Sequence, residues 1–540
     1  MAGKKSWLVP FVLGVIGILV WFFYWKLLLS PFLTFSDAAK FADTARQIFL
    51  GKGVNSTFAF FTPYFVWGEI KYFSAGFTPL FPLAIAAFFK FFGITDLAVI
   101  LSSGIFYLAG AVAIYFLGKK VFGNLVGFLA SLAFIFDPAM LNYATSGASE
   151  SLFIFEIILA GLLFYLNTKK SLFLGFLTLV ALYFTRPSAI IYIAGFVLFF
   201  IAQQQTLFIL LRFRKKSQIL KACGLTVVIW LLIEAILFKF AGKFFLYSPL
   251  AQFFTGTTSF SPEAASTVSL RGGGATLVSG LKPFLSKFLY NLYNFYKLLP
   301  QIFSPYLFGF YILSLFRWEK EREKRIFRIM VLFLVVATFT ASAAFLPIYR
   351  YLHPVIPFIY LLAIETLVWI LGKMFKKQSL VWLTAILLVL VFIGGQTVGK
   401  IFLDSRYLRA HTNQGKPPVY VKLSWILKEN TEPDDLIITN LDTWGSWYGE
   451  RKTIWFPLEP AQLVPEPGRK LKIDAIFLTS YKMEDENYYM GENWRKIFYQ
   501  PEKLEDEFFA KNFKFEERFE IKPEDSYEKE GATAILLIRK

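Results

Sequence analysis

A few polar side chains in a very apolar chain have the types and settings to do chemistry. Asp37 lies in Phe35-Ser-Asp-Ala-Ala-Lys-Phe-Ala-Asp-Thr-Ala-Arg46, and Glu150 lies in Ser146-Gly-Ala-Ser-Glu-Ser151. Arg186 lies in Phe184-Thr-Arg-Pro187, and Arg350 in Tyr349-Arg-Tyr-Leu-His-Pro354. A positioned carboxylate can take the proton of a hydroxyl. An arginine fork suits a phosphate or pyrophosphate and can stabilise an anionic leaving group. Each residue also has a plainer reading. Ser36 and Ser149 are expected N-caps, which puts Asp37 and Glu150 in first helical turns where the dipole favours acids. The arginines could anchor helix ends or pair with Glu150 or Asp137, and Asp43 has a local partner in Arg46 at i,i+3.

The elements that must position these groups follow from composition. Of 540 residues 56% are hydrophobic, 65 are Phe and only 17% are charged, against about 25% charged in a soluble domain. Disorder, a fibrous repeat and an ordinary cytosolic enzyme are excluded, and a polytopic membrane protein is expected. The net charge of +18 is uneven: residues 1–400 hold 35 bases and 13 acids, a balance of +22, and residues 401–540 hold 21 bases and 25 acids, a balance of −4. The positive charge falls in short clusters between apolar runs, as in cytoplasmic loops, so no nucleic-acid partner is expected. One cysteine, Cys223, and two histidines, His353 and His411, offer neither a disulfide within the chain nor a Cys or His metal cluster.

Apolar runs predict about eleven spans, at 8–29, 97–118, 124–142, 150–167, 171–185, 187–204, 219–241, 297–316, 327–346, 352–372 and 379–399. Lys4-Lys5, Lys119-Lys120, Lys169-Lys170, Arg212 to Lys216, Arg317 to Arg328 and Lys373 to Lys377 then share one side, the cytoplasm, which places loops 30–96 and 242–296 outside. The expected class is a mainly α membrane protein whose domain 1–400 precedes an extracytoplasmic α/β domain, 401–540, with the N-terminus cytoplasmic in a plasma membrane. Residues 79–92 predict a short helix at the outer face. In the C-terminal part, 420–430 reads as helix and 436–439, 453–456, 475–479 and 534–538 as strands. Glu156, Glu234 and Glu365 fall inside spans and must face the bundle or a wet cavity. Arg271-Gly-Gly-Gly274 predicts a loose stretch of the second outer loop.

Four motifs, in this order, carry a resemblance. Asp37 follows the first span and opens a helix ending in Gly51-Lys-Gly53. Thr78-Pro-Leu-Phe-Pro82 opens an apolar helix ending in Phe92-Gly93. Glu150 begins the fourth span, and Tyr349-Arg-Tyr-Leu-His-Pro354, with Pro357, opens a late one. Over residues 1–400 the chain resembles the GT-C superfamily of integral-membrane glycosyltransferases, close to the protein O-mannosyltransferase and aminoarabinose-transferase group. Trp425 to Asn430 and Asp434 to Ile438 also look like the extracytoplasmic domain of many bacterial members.

The resemblance implies transfer of one sugar from a polyprenyl-phosphate donor to a hydroxyl acceptor, whether protein, lipid or glycan. Asp37 matches the catalytic base and Glu150 the second acid. Arg186 and Arg350 match basic groups facing the donor phosphate, and Asp43, Tyr349, Tyr351, His353 and Thr78 are possible contacts to donor or acceptor. No cofactor is expected, and no divalent metal is needed. The chain departs from the pattern in two places: Asp37-Ala38 stands where many members carry Asp-Glu, and Phe77-Thr78-Pro79 lacks a basic residue before paired prolines. Trp444-Gly-Ser-Trp-Tyr-Gly449 resembles the oligosaccharyltransferase Trp-Trp-Asp-Tyr-Gly motif only superficially. Two other readings stay open: a transporter or flippase for a lipid-linked glycan, and a non-catalytic assembly subunit of the same fold.

Overall fold

A computed structural model describes residues 7–28, 31–61, 73–74, 78–203, 216–241, 281–344, 348–397, 399, 415–457, 459–485 and 490–540. The predicted loose stretch at Arg271 lies outside them. Helices stand at each of the eleven expected positions. Among the described residues five are long and apolar enough to cross a membrane: Leu8–Trp25, Asp96–Phe122, Arg322–Ala344, Tyr349–Met374 and Gln378–Thr397. Two bent pairs bring the number up to seven if each is one broken span: Asn124–Phe136 with Pro138–Ser146, bent by 58°, and Phe284–Ile302 with Pro305–Leu315, bent by 117°. The chain is therefore a multi-pass membrane protein, and among the described residues fewer helices are long enough to cross alone than the apolar runs suggest. Glu150–Leu166, Lys169–Thr185 and Ala189–Gln203 have only 17, 17 and 15 residues. The expected span 297–316 is corrected: a helix begins at Leu281, carries Pro300 and turns sharply before Pro305.

The helices that hold the polar cluster are α1 (Leu8–Leu28), α2 (Ser36–Phe49), α3 (Leu80–Phe92), α4 (Asp96–Phe122), α5 (Asn124–Phe136), α6 (Pro138–Ser146), α7 (Glu150–Leu166) and α8 (Lys169–Thr185), with a 3-10 turn at Tyr349–Val355. Their ends are marked in the sequence. The Thr95 hydroxyl accepts the Ala98 N–H at the start of α4. Asp137 caps α6 with Pro138 at its first position, and Thr168 with Ser171 forms a capping box on α8. Gly118 and Gly127 let α4 and α5 cross closely, since a Cβ on Gly118 would stand 2.7 Å from Gly127 Cα. Gly147 ends α6 at φ +76, and a side chain there would meet Val99, Leu33 and Ala38. It holds the Glu150 turn against the segment that leads to Asp37.

The apolar runs pack because almost every helix presents a wide buried stripe to one continuous core. Carboxyls inside it are partnered. Glu365 binds Arg317 Nη1 at 2.5 Å and Arg328 Nη2 at 2.6 Å, Glu156 accepts from Thr185, and Glu234 is buried.

The C-terminal part is α/β, as the patterning predicts. Its sheet has strands β4 (Leu436–Thr439), β5 (Lys452–Trp455), β6 (Ala475–Thr479), β7 (Phe513–Ile521) and β8 (Ala532–Arg539), and Val419–Glu429 is the expected helix. The edge is completed from far away. After β1 (Asn55–Ser56), which pairs with β3 (Phe73–Ser74), strand β2 (Phe58–Phe60) joins β5 in parallel, and the order is β2-β5-β4-β6-β8-β7. Strand β7 escapes sequence reading because a bulge between Phe515 and Glu517 breaks its period of two.

Candidate active site

The structure brings four of the singled-out side chains into one cluster where α2, the Glu150 turn, the end of α8 and the 3-10 turn meet. Arg350 Nη2 is 2.6 Å from Asp37 Oδ2, and Arg186 Nη1 is 2.6 Å from Glu150 Oε1. Arg350 Nε lies 4.0 Å from the same Glu150 oxygen, so the two ion pairs touch. Tyr351 stands between the guanidiniums, with Arg186 5.5 Å and Arg350 5.6 Å from its ring centre. Arg350 Nε is buried and makes no hydrogen bond among the described residues.

Local sequence explains each placement. Asp37 is in the first turn of α2 as expected, but Phe35 rather than Ser36 is the N-cap. Ser149 is the cap residue of α7, yet its hydroxyl turns away from the helix and accepts from Arg186 Nη1 at 3.2 Å. Arg186 ends α8 with extended φ −152°, ψ 145°, as a residue before proline prefers.

Burial differs sharply between the two acids. The Asp37 side chain keeps 46% of its surface while Glu150 keeps 5%. Desolvation works against the Asp37 carboxylate, but Arg350 and Lys40 outweigh it and hold its carboxyl below the ordinary range. Burial lowers the Lys40 ammonium, against the pull of Asp37 and Asp442. Lys40 was not singled out by the sequence. Its spacing of three residues from Asp37 on a short helix is the signal that places it on the same face.

The remaining predicted contacts are placed as follows. Tyr349 is half-exposed and its ring lies 5.7 Å from that of His353. His353 is buried, with Nδ1 2.5 Å from Tyr143 OH, behind Arg350. Two of the predicted contacts have polar atoms bonded within the protein. Asp43 is fully buried and accepts from Ser56 Oγ, Thr57 N, Thr57 Oγ1 and Arg46 Nη2 at 2.6–2.8 Å, which fixes the β1–β2 segment. Thr78 is buried and donates to the Thr185 carbonyl at 2.6 Å.

The C-terminal part grips the segment that carries Asp37. The short helix Trp444–Trp447 sits on α2. There Arg46 donates to the Ser446 and Trp447 carbonyls at 2.7 and 3.1 Å, and its guanidinium lies 5.1 Å from the Trp447 ring centre. Thr443 Oγ1 donates to the Ser36 carbonyl at 2.5 Å. Asp96 accepts from Trp447 Nε1 at 2.7 Å and Tyr448 OH at 2.8 Å. Tyr448 OH also accepts the Leu33 N–H, while Tyr420 OH donates to the Leu33 carbonyl at 2.7 Å. Asp442, at φ +57, leads into this turn. The tryptophan-rich string thus serves as a clamp, a role its composition alone does not reveal.

Known proteins give a consistent picture. Residues 77–236 match the family model of dolichyl-phosphate-mannose-protein mannosyltransferases. No curated protein matches the sequence. The fold is shared with ArnT from Cupriavidus metallidurans at a TM-score of 0.51 and 12% identity, over 91% of this chain and 97% of that one. A second crystal structure of the same protein is bound to undecaprenyl phosphate, at 0.51 and 13%, with the same coverage. The Archaeoglobus fulgidus oligosaccharyltransferase, in complex with Zn and sulfate, aligns at 0.55 and 13% identity over 91% of this chain and 71% of its own. The chain thus shares the fold of these membrane proteins, and within it residues 77–236 match the mannosyltransferase family model.

Proposed function

We propose that this protein moves a single sugar from a polyprenyl-phosphate-linked donor to a hydroxyl acceptor at the outer face of a cytoplasmic membrane. The observation that carries the reading is the joined pair of ion pairs: two guanidiniums flank one tyrosine, one buried N–H makes no hydrogen bond among the described residues, and an open carboxylate lies beside them. The donor phosphate is bound by Arg350 and Arg186, whose planar forks match its oxygens. Glu150 holds both arginines, and Lys40 adds positive charge on the acceptor side. Asp37 takes the proton of the acceptor hydroxyl. The hydroxyl oxygen bonds to the anomeric carbon, the bond from that carbon to the phosphate oxygen breaks, and polyprenyl phosphate leaves with the electron pair, its charge met by the arginines. No cofactor and no divalent metal enters this reading. ArnT crystallised with undecaprenyl phosphate supports a polyprenyl-phosphate donor.

The test uses protein in lipid nanodiscs with a panel of short-chain polyprenyl-phosphate hexoses and pentoses. Release of free polyprenyl phosphate from one donor by wild type, and its loss in Asp37→Asn, is the expected result. Bound lipid with no turnover of any donor in either protein would favour a transporter or an assembly subunit.

A further inference from the structure

Glu156 has no place in the chemistry above, yet a carboxyl inside a membrane helix is costly and calls for a use. It is buried on α7, six residues beyond Glu150, with 4% of its surface exposed. Its Oε1 lies 3.0 Å from Thr185 Oγ1 on α8, a hydroxyl that is also 3.0 Å from the Ala181 carbonyl. Its Oε2 is buried without a hydrogen-bond partner among the described residues. Thr185 is held from the other side as well, because Thr78 at the start of α3 donates to its carbonyl at 2.6 Å. The next residue is Arg186, where Pro187 stops the helix and the backbone swings to an extended conformation.

We infer that Glu156 and Thr78 are positioning residues that fix the Thr185–Arg186 turn from two sides and thereby aim the Arg186 guanidinium at the lipid phosphate. The inference rests on the proposed function. Where a helix ends, side-chain direction depends on how the last turn is held: the Arg186 N–H closes α8 on the Leu182 carbonyl, and Glu156 and Thr78 hold the Thr185 hydroxyl and carbonyl from outside the helix. The residue types fit the task. A carboxyl reaches Thr185 across a helix–helix contact that a leucine would fill without a hydrogen bond, and glutamine preserves the reach.

The experiment measures undecaprenyl phosphate binding to the full chain in nanodiscs. Glu156→Leu and Thr78→Val are each expected to weaken binding about tenfold, one hydrogen bond's contribution. Glu156→Gln and Thr78→Ser should stay within about threefold of wild type, since each keeps its bond. In an Arg186→Gln background Glu156→Leu should add nothing, which a merely structural role would not produce. Wild-type affinity in Glu156→Leu and Thr78→Val, or full additivity with Arg186→Gln, would overturn the inference alone. Absence of binding by wild type itself would instead remove the proposed function. If Glu156→Leu does not fold, Thr78→Val reads the same turn from a different element.

Discussion

Arg350 Nη2 rests 2.6 Å from Asp37 Oδ2, so the open carboxylate of the cluster is already paired with a guanidinium that also reaches toward Glu150. In the proposed reaction an incoming phosphate competes for Arg350 and loosens its hold on Asp37. Asp37→Asn keeps an oxygen for Arg350 and removes the base. Transfer should fall by about 10²–10⁴-fold, the usual share of general base catalysis, while the protein stays folded and loses only the stability of the ion pair. Turnover measured beside melting in nanodiscs checks both halves. Retained turnover would move the base elsewhere.

The same pair sets a pH dependence. The Asp37 carboxyl lies below its ordinary value, which is about 3.9 in an unfolded chain. Its contribution to stability is therefore complete above about pH 4 and is lost as pH falls through the lower folded value. The difference in melting temperature between wild type and Asp37→Asn should stay flat from pH 7 to about pH 4 and close below it. A gap that closes already between pH 6 and 5 would contradict the ion pair.

Glu150 depends on Arg186 more than Asp37 depends on Arg350, because it is nearly shut off from solvent. Arg186→Gln leaves a buried acid short of its nearest counter-charge, at a cost of about 3 kcal/mol. That is the low end of the usual range, since Arg350 remains 4.0 Å away. Adding Glu150→Gln should return most of that loss while transfer stays low. Thermal unfolding of the two single variants and the double variant closes the cycle, and simple additivity would show that the residues do not act as a pair.

Asp96 carries the docking of the C-terminal part. Asp96→Ala strands the Trp447 indole N–H and the Tyr448 hydroxyl, at about 1–3 kcal/mol for each donor left unpaired. The expected outcome is faster proteolytic cleavage within residues 415–540 together with reduced transfer, although Asp96 touches none of the four clustered side chains. Unchanged cleavage would assign the grip to Thr443 and Arg46 instead.

Much of this is legible in the sequence. Apolar runs and Lys/Arg clusters gave the helices, and β4 and β6 lie where alternation puts them, because local patterning records which face a segment buries. Asp37, Glu150, Arg186 and Arg350 could be gathered because all four sit at helix ends on one side of the threaded chain. Position along a helix does not say that Ser56 and Thr57 fold back onto the Asp43 oxygens. Asp96 and the Trp444 turn are not legible because their partners are some 350–410 residues away in sequence, and Ser149 and Thr78 spend hydroxyls on Arg186 and Thr185 rather than on their own helices.

The strand exchange at the sheet edge has a consequence for timing. Phe58–Phe60 must wait for Lys452–Trp455, and residues 61–451 lie between them. During synthesis the Asp37 segment stays ungripped until residues 443–455 have been made, since such distant pairing forms late. A truncated product ending near residue 400 would carry all four clustered side chains without the clamp that holds α2. Residues 415–540 made alone would expose the bare edge of β5 to association with other chains. The four clustered side chains thus come from residues before 351, while the clamp that holds their α2 segment comes from residues beyond 442.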